Sequence, residues 1–555
     1  MSARRGKRNA EAEARARAKT TRARARAATE EEELDLALPE EPEWGLAVLY
    51  VLVAISVGML GVRLYAASHV GFGDSEALYA CWAAHPQPAF LDHPGLVGLV
   101  SRFIGDGMTP TPVRTHAVTS LLATLVPWVV FVAARALGAA RGRAALAGLI
   151  VAVVPETAVG LFALTPDLLL APAWLGVLAL AGIGMRSTPS STRSASAFLG
   201  AGLLAGTACS AKAPGVLLMV ALFATYLSVA FARSEALRAD ERARSAVRTI
   251  WPWAGLLAGL VVLGPIVLYE AKTGWPMLQH RLVDSQAGAG IALRNLGTLI
   301  GGQLAYVSPI LAVLAVIAAI DLVRERSRDA VSRLLFLAFA IPIVPLVGLC
   351  LWSRVAEPHW IAPALLALPL HVARRAGERA LTSRRVFLAG AGLAAALTVI
   401  AHAWVLVPDA PRLLPASTDP KLDISSELYG WPTVLAAVNE QMAGASTPFD
   451  PAARDVVVVG PHWTVCAQLQ AGLPGVRVGC ATPVPDDFDG WLPRKDWRAA
   501  EHVLFVTDNR YPGDGAEQLP AHVRAAQSRI RVLRGGRTAR IFELYMYERR
   551  AQSSL

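Results

Sequence analysis

The sequence predicts a polytopic α-helical membrane protein that carries a small α/β domain at its C-terminal end. Three observations predict it. Of the 555 residues, 54% are hydrophobic and only 17% are charged, where soluble domains carry about 25% charge. Apolar runs of roughly 20 residues, the length that spans a hydrocarbon core, recur from residue 45 to residue 407. Beyond them the runs stop, and short Val-rich segments alternate with helical patterns, the signature of a small α/β unit.

The chain opens with a biased segment, 1–43. Residues 1–27 hold ten Lys/Arg against two Glu, and residues 30–43 hold eight Asp/Glu. Nucleic-acid binding is one reading of the basic stretch. Its low complexity favours a disordered cytoplasmic tail, and it lacks the apolar core of a signal peptide. Residues 44–407 form the membrane domain. About eleven spans are expected: 45–66, 113–135, 144–163, 167–185, 196–211, 214–232, 251–270, 297–322, 333–351, 360–373 and 386–407. Every second loop is arginine-rich: 135–143, 186–195, 233–250, 324–333 and 374–385. By the positive-inside bias these loops and the N-terminus are cytoplasmic. An odd span count then places the C-terminal domain, 408–555, outside a bacterial inner (plasma) membrane. In that domain DVVVVG (455–460), VRVG (476–479), EHVLFVTD (501–508) and RTARIFELYMYE (537–548) read as strands. TVCAQLQAG (464–472) and HVRAAQSRI (522–530) read as helices. No GxGxxG follows a strand, so nucleotide binding has no support. Of five cysteines none forms a CxxC. Cys466 and Cys480 share the C-terminal domain, where a disulfide is open to them if the domain is extracytoplasmic.

The acids, bases and histidines gather on the outer loops. The long first loop, 67–112, holds Asp74 and Glu76 in GDSEALYACWA, then Asp92 and His93 in FLDHPGL. Asp167 lies in LTPDLL, Lys212 in SAKAPG, His280 and Arg281 in MLQHRLVD, and Glu357 and His359 in WSRVAEPHWIAP. Ionisable groups at span ends are functional candidates by default. Each also has a bland reading. Asp74 and Glu76, two residues apart, fit solvated loop acids as well as a general base and its neighbour. Asp92 fits a helix cap for the amphipathic stretch 94–105, which reads as interfacial. Lys212 fits a snorkelling lysine as well as a phosphate-binding point charge. No cofactor is indicated. A divalent metal lacks ligand spacing such as HExxH, and no GxxxxGK[ST] supplies an ATP engine.

The segment GDSEALYACWAAHPQPAFLDHPGL resembles the first outer loop of GT-C superfamily glycosyltransferases, in the bacterial branch related to aminoarabinose lipid A transferases and protein O-mannosyltransferases (glycosyltransferase family 39-like). Further matches follow in order: Pro166-Asp167, Lys212-x-Pro214, GWP (274–276), GQLAYVSP (302–309), EPHWIAPA (357–364) and GW (430–431), together covering about residues 45–445. Four positions depart from the pattern. Ser75 splits the acidic pair, Leu91 replaces an aromatic, Gly95 replaces the second proline of the loop motif, and His359-Trp360-Ile361 stands for Asn-Trp-Pro. The resemblance implies transfer of a sugar from a polyprenyl-phosphate carrier to a lipid, glycan or protein acceptor, usually with inversion, at the outer face. It implies Asp74 as the catalytic base, with Glu76 beside it, and Asp167 positioning acceptor or base. Lys212 and Arg281 would neutralise the leaving phosphate. Asp92, His93, His280, Glu357 and His359 would complete the substrate pocket. Two other readings stay open: a transporter or flippase of a lipid-linked glycan, expected to show inverted repeats, and a non-catalytic envelope assembly protein. Membrane lipids are expected partners; nucleic acid is not.

Overall fold

The computed structural model describes residues 41–354, 357–375, 384–415, 417–444 and 456–550. The expected tail lies outside these residues except for its last three positions. Among the described residues seven helices are long and apolar enough to cross a membrane: Gly45–Ala67, Pro112–Ala136, Pro166–Arg186, Thr192–Ala211, Trp251–Thr273, Ala330–Trp352 and Arg385–Leu406. The remaining four expected spans are shorter or broken. Residues 293–324 form two helices, Leu293–Val307 and Pro309–Arg324, bent by 106° where Ser308 adopts φ +83° before Pro309. Stretch 144–163 stops at Val153, because Val154 is extended ahead of Pro155, the conformation that a following proline enforces. The 214–232 expectation becomes Gly215–Ala230, and 360–373 becomes the short pieces Pro358–Ile361, Ala362–Leu365 and Ala367–Arg374.

Close packing of the bundle rests on small residues. Gly202 and Gly206 of one helix face Gly255 and Gly259 of another, and a Cβ at Gly202 would collide with the Gly255 backbone. Backbones approach this closely only where small residues recur every fourth position.

The loops segregate as their charge pattern requires. Arg374 pairs with Asp329 at 3.0 Å and donates to Leu137 O. Arg143 donates to Arg375 O, Arg186 to Ala136 O, and Ala330 N donates to Asp240. The arginine-rich loops therefore meet at one end of the bundle. The first loop and the C-terminal domain meet at the other.

The C-terminal domain is a five-stranded sheet in the order β2-β1-β3-β5-β4: β1 Val456–Gly460, β2 Val478–Cys480, β3 His502–Asp508, β4 His522–Arg534 and β5 Arg537–Arg549. The first three strands are parallel; β5 runs antiparallel to β3, and β4 antiparallel to β5. The helix expected at 464–472 forms as Trp463–Gly472. The helix expected at 522–530 does not form, since that segment is the edge strand β4. The cause is the turn behind it: Gly535 (φ +58°) and Gly536 (φ +74°) supply the two positive-φ positions of a tight hairpin, which folds β4 onto β5. Cys466 and Cys480 are disulfide-bonded, with Cα atoms 5.9 Å apart, so the helix is stapled to the edge of the sheet.

Candidate active site

Five separated segments bring their charged groups together at the end of the bundle that holds the C-terminal domain. Asp167 is the second residue of helix Pro166–Arg186 and Lys212 caps the C-terminus of Thr192–Ala211. Lys212 Nζ donates to both carboxylate oxygens of Asp167, at 2.7 and 2.9 Å. His359 Nε2 stands 3.9 Å from Asp167, and its Nδ1 stands 3.6 Å from Glu357. A second pair sits alongside: Arg281 reaches Asp92 at 3.4 Å and His280 approaches the same oxygen at 3.8 Å. The two pairs share one field, because Lys212 and Arg281 both act on His93, Glu357 and His359.

Local sequence explains the placement. Gly274 (φ +86°) ends helix Trp251–Thr273, and Trp275 holds a left-handed φ of +62° before Pro276. A tryptophan in that region is strained by roughly 1–2 kcal/mol. The sharp reversal aims helix Pro276–Leu282, with His280 and Arg281, back at the first loop. In that loop Phe90 N donates to His93 O, and Gly95 N donates to Pro88 O at 2.8 Å. The departure from proline at 95 thus has a reason: proline lacks the N–H, and any Cβ here would strike the Gln87 carbonyl. Asp92 stands at the tip of this small hairpin. The helix after it, Leu96–Ile104, leaves Leu99 and Phe103 exposed (61% and 84%), as an interfacial helix does.

The electrostatics favour neutral imidazoles beside fixed cations. Burial, helped by Lys212, pushes His359 down to about 4. Burial, then Arg281 and Lys212, holds His93 well below the ordinary histidine range. Burial raises Glu357 against the pull of Lys212 and Arg281. At neutral pH His93 and His359 therefore add no positive charge to that of Lys212 and Arg281. Among the described residues no group of three or more His, Cys, Asp or Glu side chains is arranged to hold a metal ion.

Asp74 and Glu76 face other partners. Asp74 Oδ2 accepts from Arg510 at 2.7 Å, and Gln468 reaches Oδ1 at 3.4 Å. Arg510 also pairs with Asp508, which Arg540 engages in turn. Glu76 is 2% exposed. It pairs with His116 at 2.8 Å and accepts from Leu164 N at 2.7 Å, tying three segments together. Of the triplet Asp74-Ser75-Glu76, only Ser75 is exposed. No contact joins either acid to Lys212 or Arg281 among the described residues.

Three groups near the site escape a reading of span ends. Tyr79 packs over Trp82 and His93 within the field of Asp92 and Arg281. Glu156 stands within range of Asp167 and Lys212. Its ProGlu context after an interrupted span was the available signal. Asp487, from the C-terminal domain, contacts the loop that carries Asp92 and has no such signal. Glu156 also lines a cavity of about 440 Å³, with Val307, Leu311, Leu314, Ala318 and Leu365 along its apolar wall and Arg143 and Arg375 at its far end.

Comparison with known proteins identifies the fold. The crystal structure of ArnT from Cupriavidus metallidurans bound to undecaprenyl phosphate superposes with a TM-score of 0.56 over 91% of this chain and 98% of that one, at 16% identity. The chain has the GT-C fold. The apo structure of the same ArnT matches with a TM-score of 0.55 over 89% of this chain and 97% of that one, also at 16% identity. Residues 99–269 match the model of the dolichyl-phosphate-mannose-protein mannosyltransferase family. No curated protein matches the chain by sequence. The polytopic helical architecture with a small C-terminal sheet domain, expected from composition and periodicity, is thus the GT-C architecture.

Proposed function

We propose that the protein is an integral membrane glycosyltransferase that moves a sugar from a polyprenyl-phosphate carrier to an acceptor at the membrane face where the C-terminal domain sits, the extracytoplasmic face. The observation that carries the reading is the convergence of Lys212 and Arg281, two cations from distant segments, on His93, Glu357 and His359, with an apolar cavity bordered by Glu156 opening beside Lys212. Such a site suits an anionic headgroup on a long apolar tail. The matched ArnT binds undecaprenyl phosphate, and the family model concerns a dolichyl-phosphate-mannose donor.

In this reading Lys212 and Arg281 take the phosphate, exchanging their carboxylate partners for phosphate oxygens. The acceptor hydroxyl or amine attacks the anomeric carbon and the carbon–oxygen bond to phosphate breaks. The bonding pair leaves with the phosphate, where the two cations stabilise the developing charge. Attack opposite the leaving group inverts the anomeric centre. The acceptor proton goes to a carboxylate. We assign that role to Asp92, 31% exposed and only loosely paired, with Asp167 orienting Lys212 until the phosphate binds. The resemblance points instead to Asp74, which would first have to leave Arg510. Glu357, His359, His280 and His93 line the pocket.

Purified protein in lipid, given radiolabelled polyprenyl-phosphate sugars and an envelope extract, tests this. Label should pass to an acceptor with wild type, fall at least a hundredfold with Asp92→Asn, and persist with Asp74→Asn. Loss with Asp74→Asn but not Asp92→Asn would move the base to Asp74. No transfer from any donor would reject the transferase reading in favour of a lipid-linked glycan transporter or a non-catalytic envelope protein.

A further inference from the structure

The hairpin that carries Asp92 is gripped by the C-terminal domain at one residue. Asp487 opens the short helix Asp487–Trp491, which is fixed by a capping box between Asp486 and Asp489 and by Arg494 on Asp489 at 2.6 Å. From this rigid mount the two oxygens of Asp487 divide their work. Oδ1 accepts from Leu91 N at 3.2 Å, the amide immediately before Asp92. Oδ2 accepts from Trp82 Nε1 at 3.0 Å, and the Trp82 ring stacks on Phe90 with centroids 4.0 Å apart and planes within 1°. One carboxylate thereby holds the hairpin by its backbone and by its aromatic floor. It does so despite standing in the repulsive field of Asp92, so the contact is one that like charge alone would open. A second, separate contact joins the same helix to the loop: Trp491 stacks on His85 at 4.1 Å.

Resting on the glycosyltransferase reading above, we infer that Asp487 is a positioning residue: the C-terminal domain, through Asp487, fixes the Leu91–Asp92 backbone and so sets where the Asp92 carboxylate stands relative to Arg281 and His280. The domain then completes the site rather than merely covering it. A carboxylate displaced by about 1 Å costs on the order of a hundredfold in rate, whereas phosphate capture by Lys212 and Arg281 does not pass through Leu91.

The test compares Asp487→Ala, Asp487→Asn and His85→Ala in the full-length protein. It reads hydrogen–deuterium exchange of peptides covering Leu91, undecaprenyl phosphate affinity, and kcat. Asp487→Ala should raise exchange at Leu91 at least tenfold and lower kcat about a hundredfold, with lipid-phosphate affinity within threefold of wild type. Asp487→Asn keeps an acceptor for one of the two donors and should fall between. His85→Ala removes the other contact of helix Asp487–Trp491 with the loop and should leave Leu91 protected and kcat within threefold. Unchanged exchange at Leu91 in Asp487→Ala, or a His85→Ala protein that reproduces all its effects, overturns the inference. If wild type neither binds undecaprenyl phosphate nor transfers sugar, the functional reading fails, and exchange at Leu91 still decides whether Asp487 holds the hairpin.

Discussion

Replacing Lys212 by alanine should destabilise the protein, and removing the charge of its partner should restore it. Lys212 is 7% exposed and Asp167 24%, joined by two short hydrogen bonds. Removing one partner of a fully buried ion pair costs about 3–5 kcal/mol, most of it the charge left behind. The residual exposure of Asp167 and the nearby His359 soften this, so Lys212→Ala should cost about 2–3 kcal/mol. Each kcal/mol shifts Tm by roughly 2 °C or less in a chain this large, which gives a fall of at most about 4–6 °C in detergent, followed by tryptophan fluorescence. In Lys212→Ala/Asp167→Asn no bare carboxylate remains, and stability should return to within about 1 kcal/mol of wild type. Activity should not return, because the phosphate-binding cation is still missing. A double variant as unstable as the sum of the two single variants would show that the groups are not coupled and refute the reasoning.

Other outcomes follow from the same geometry. Burial pushes Asp487 up to about 7, and burial with Asp74 raises Glu427; both sit where the C-terminal domain meets the first loop. The native state then binds more protons than the unfolded chain between about pH 4 and 7, so the contribution of these groups is fullest at the acidic end and is lost as pH rises through 7. Thermal scans from pH 5 to 8 should show a declining Tm that Asp487→Asn/Glu427→Gln flattens; an unchanged slope would contradict the shifts. Arg510→Ala leaves the Asp74 carboxylate without its ion-pair partner and should loosen domain docking by about 2–4 kcal/mol, seen as proteolysis of the C-terminal domain at lower temperature; equal protease resistance would show the pair to be dispensable. Because His359 lies at about 4, His359→Gln should change lipid-phosphate affinity at pH 7 by less than threefold, and a tenfold loss would mean that the imidazole is charged in the complex. Cys466 and Cys480 close a loop of sequence separation 14, so Cys466→Ala/Cys480→Ala should cost the domain about 3 kcal/mol, measured as a fall in its unfolding midpoint; no fall would deny the staple a role.

Much of this was legible in the sequence because the membrane imposes simple rules. Arginine-rich loops alternate with loops rich in mixed charge, and the contacts of Arg374, Arg143 and Arg186 show the first set gathered at one end. The same alternation put Asp167, Lys212, Asp92, Arg281 and His359 on one face, where the structure joins them. Span limits were hardest to read where a helix breaks without losing its apolar character, as at Pro155 and Pro309. The β4 segment failed because apolar periodicity in an edge strand mimics a helix, while Gly535-Gly536 just beyond it was the stronger signal. The partners of Asp74 and of Leu91 and Trp82 lay beyond reach for another reason. Arg510 and Asp487 are about 400 positions away from the residues they hold, and no local pattern encodes such a contact. The resemblance implied a catalytic role for Asp74 and Glu76, and their spacing alone fitted solvated loop acids; helix Asp74–Cys81, which they open, turns Ser75 outward and both acids in.

The central claim is that Lys212 and Arg281 form one lipid-phosphate site. Binding of undecaprenyl phosphate to the purified protein, measured by native mass spectrometry for wild type, Lys212→Ala, Arg281→Ala, the double variant and Asp74→Asn, tests it most directly. Each charge-assisted bond to phosphate is worth about 1.5–3 kcal/mol, so each single alanine variant should bind roughly 10- to 150-fold more weakly. The double variant should not bind measurably, and Asp74→Asn should bind as wild type does. A double variant that retains wild-type affinity, or an Asp74→Asn protein as impaired as Lys212→Ala, would place the phosphate elsewhere and contradict the account.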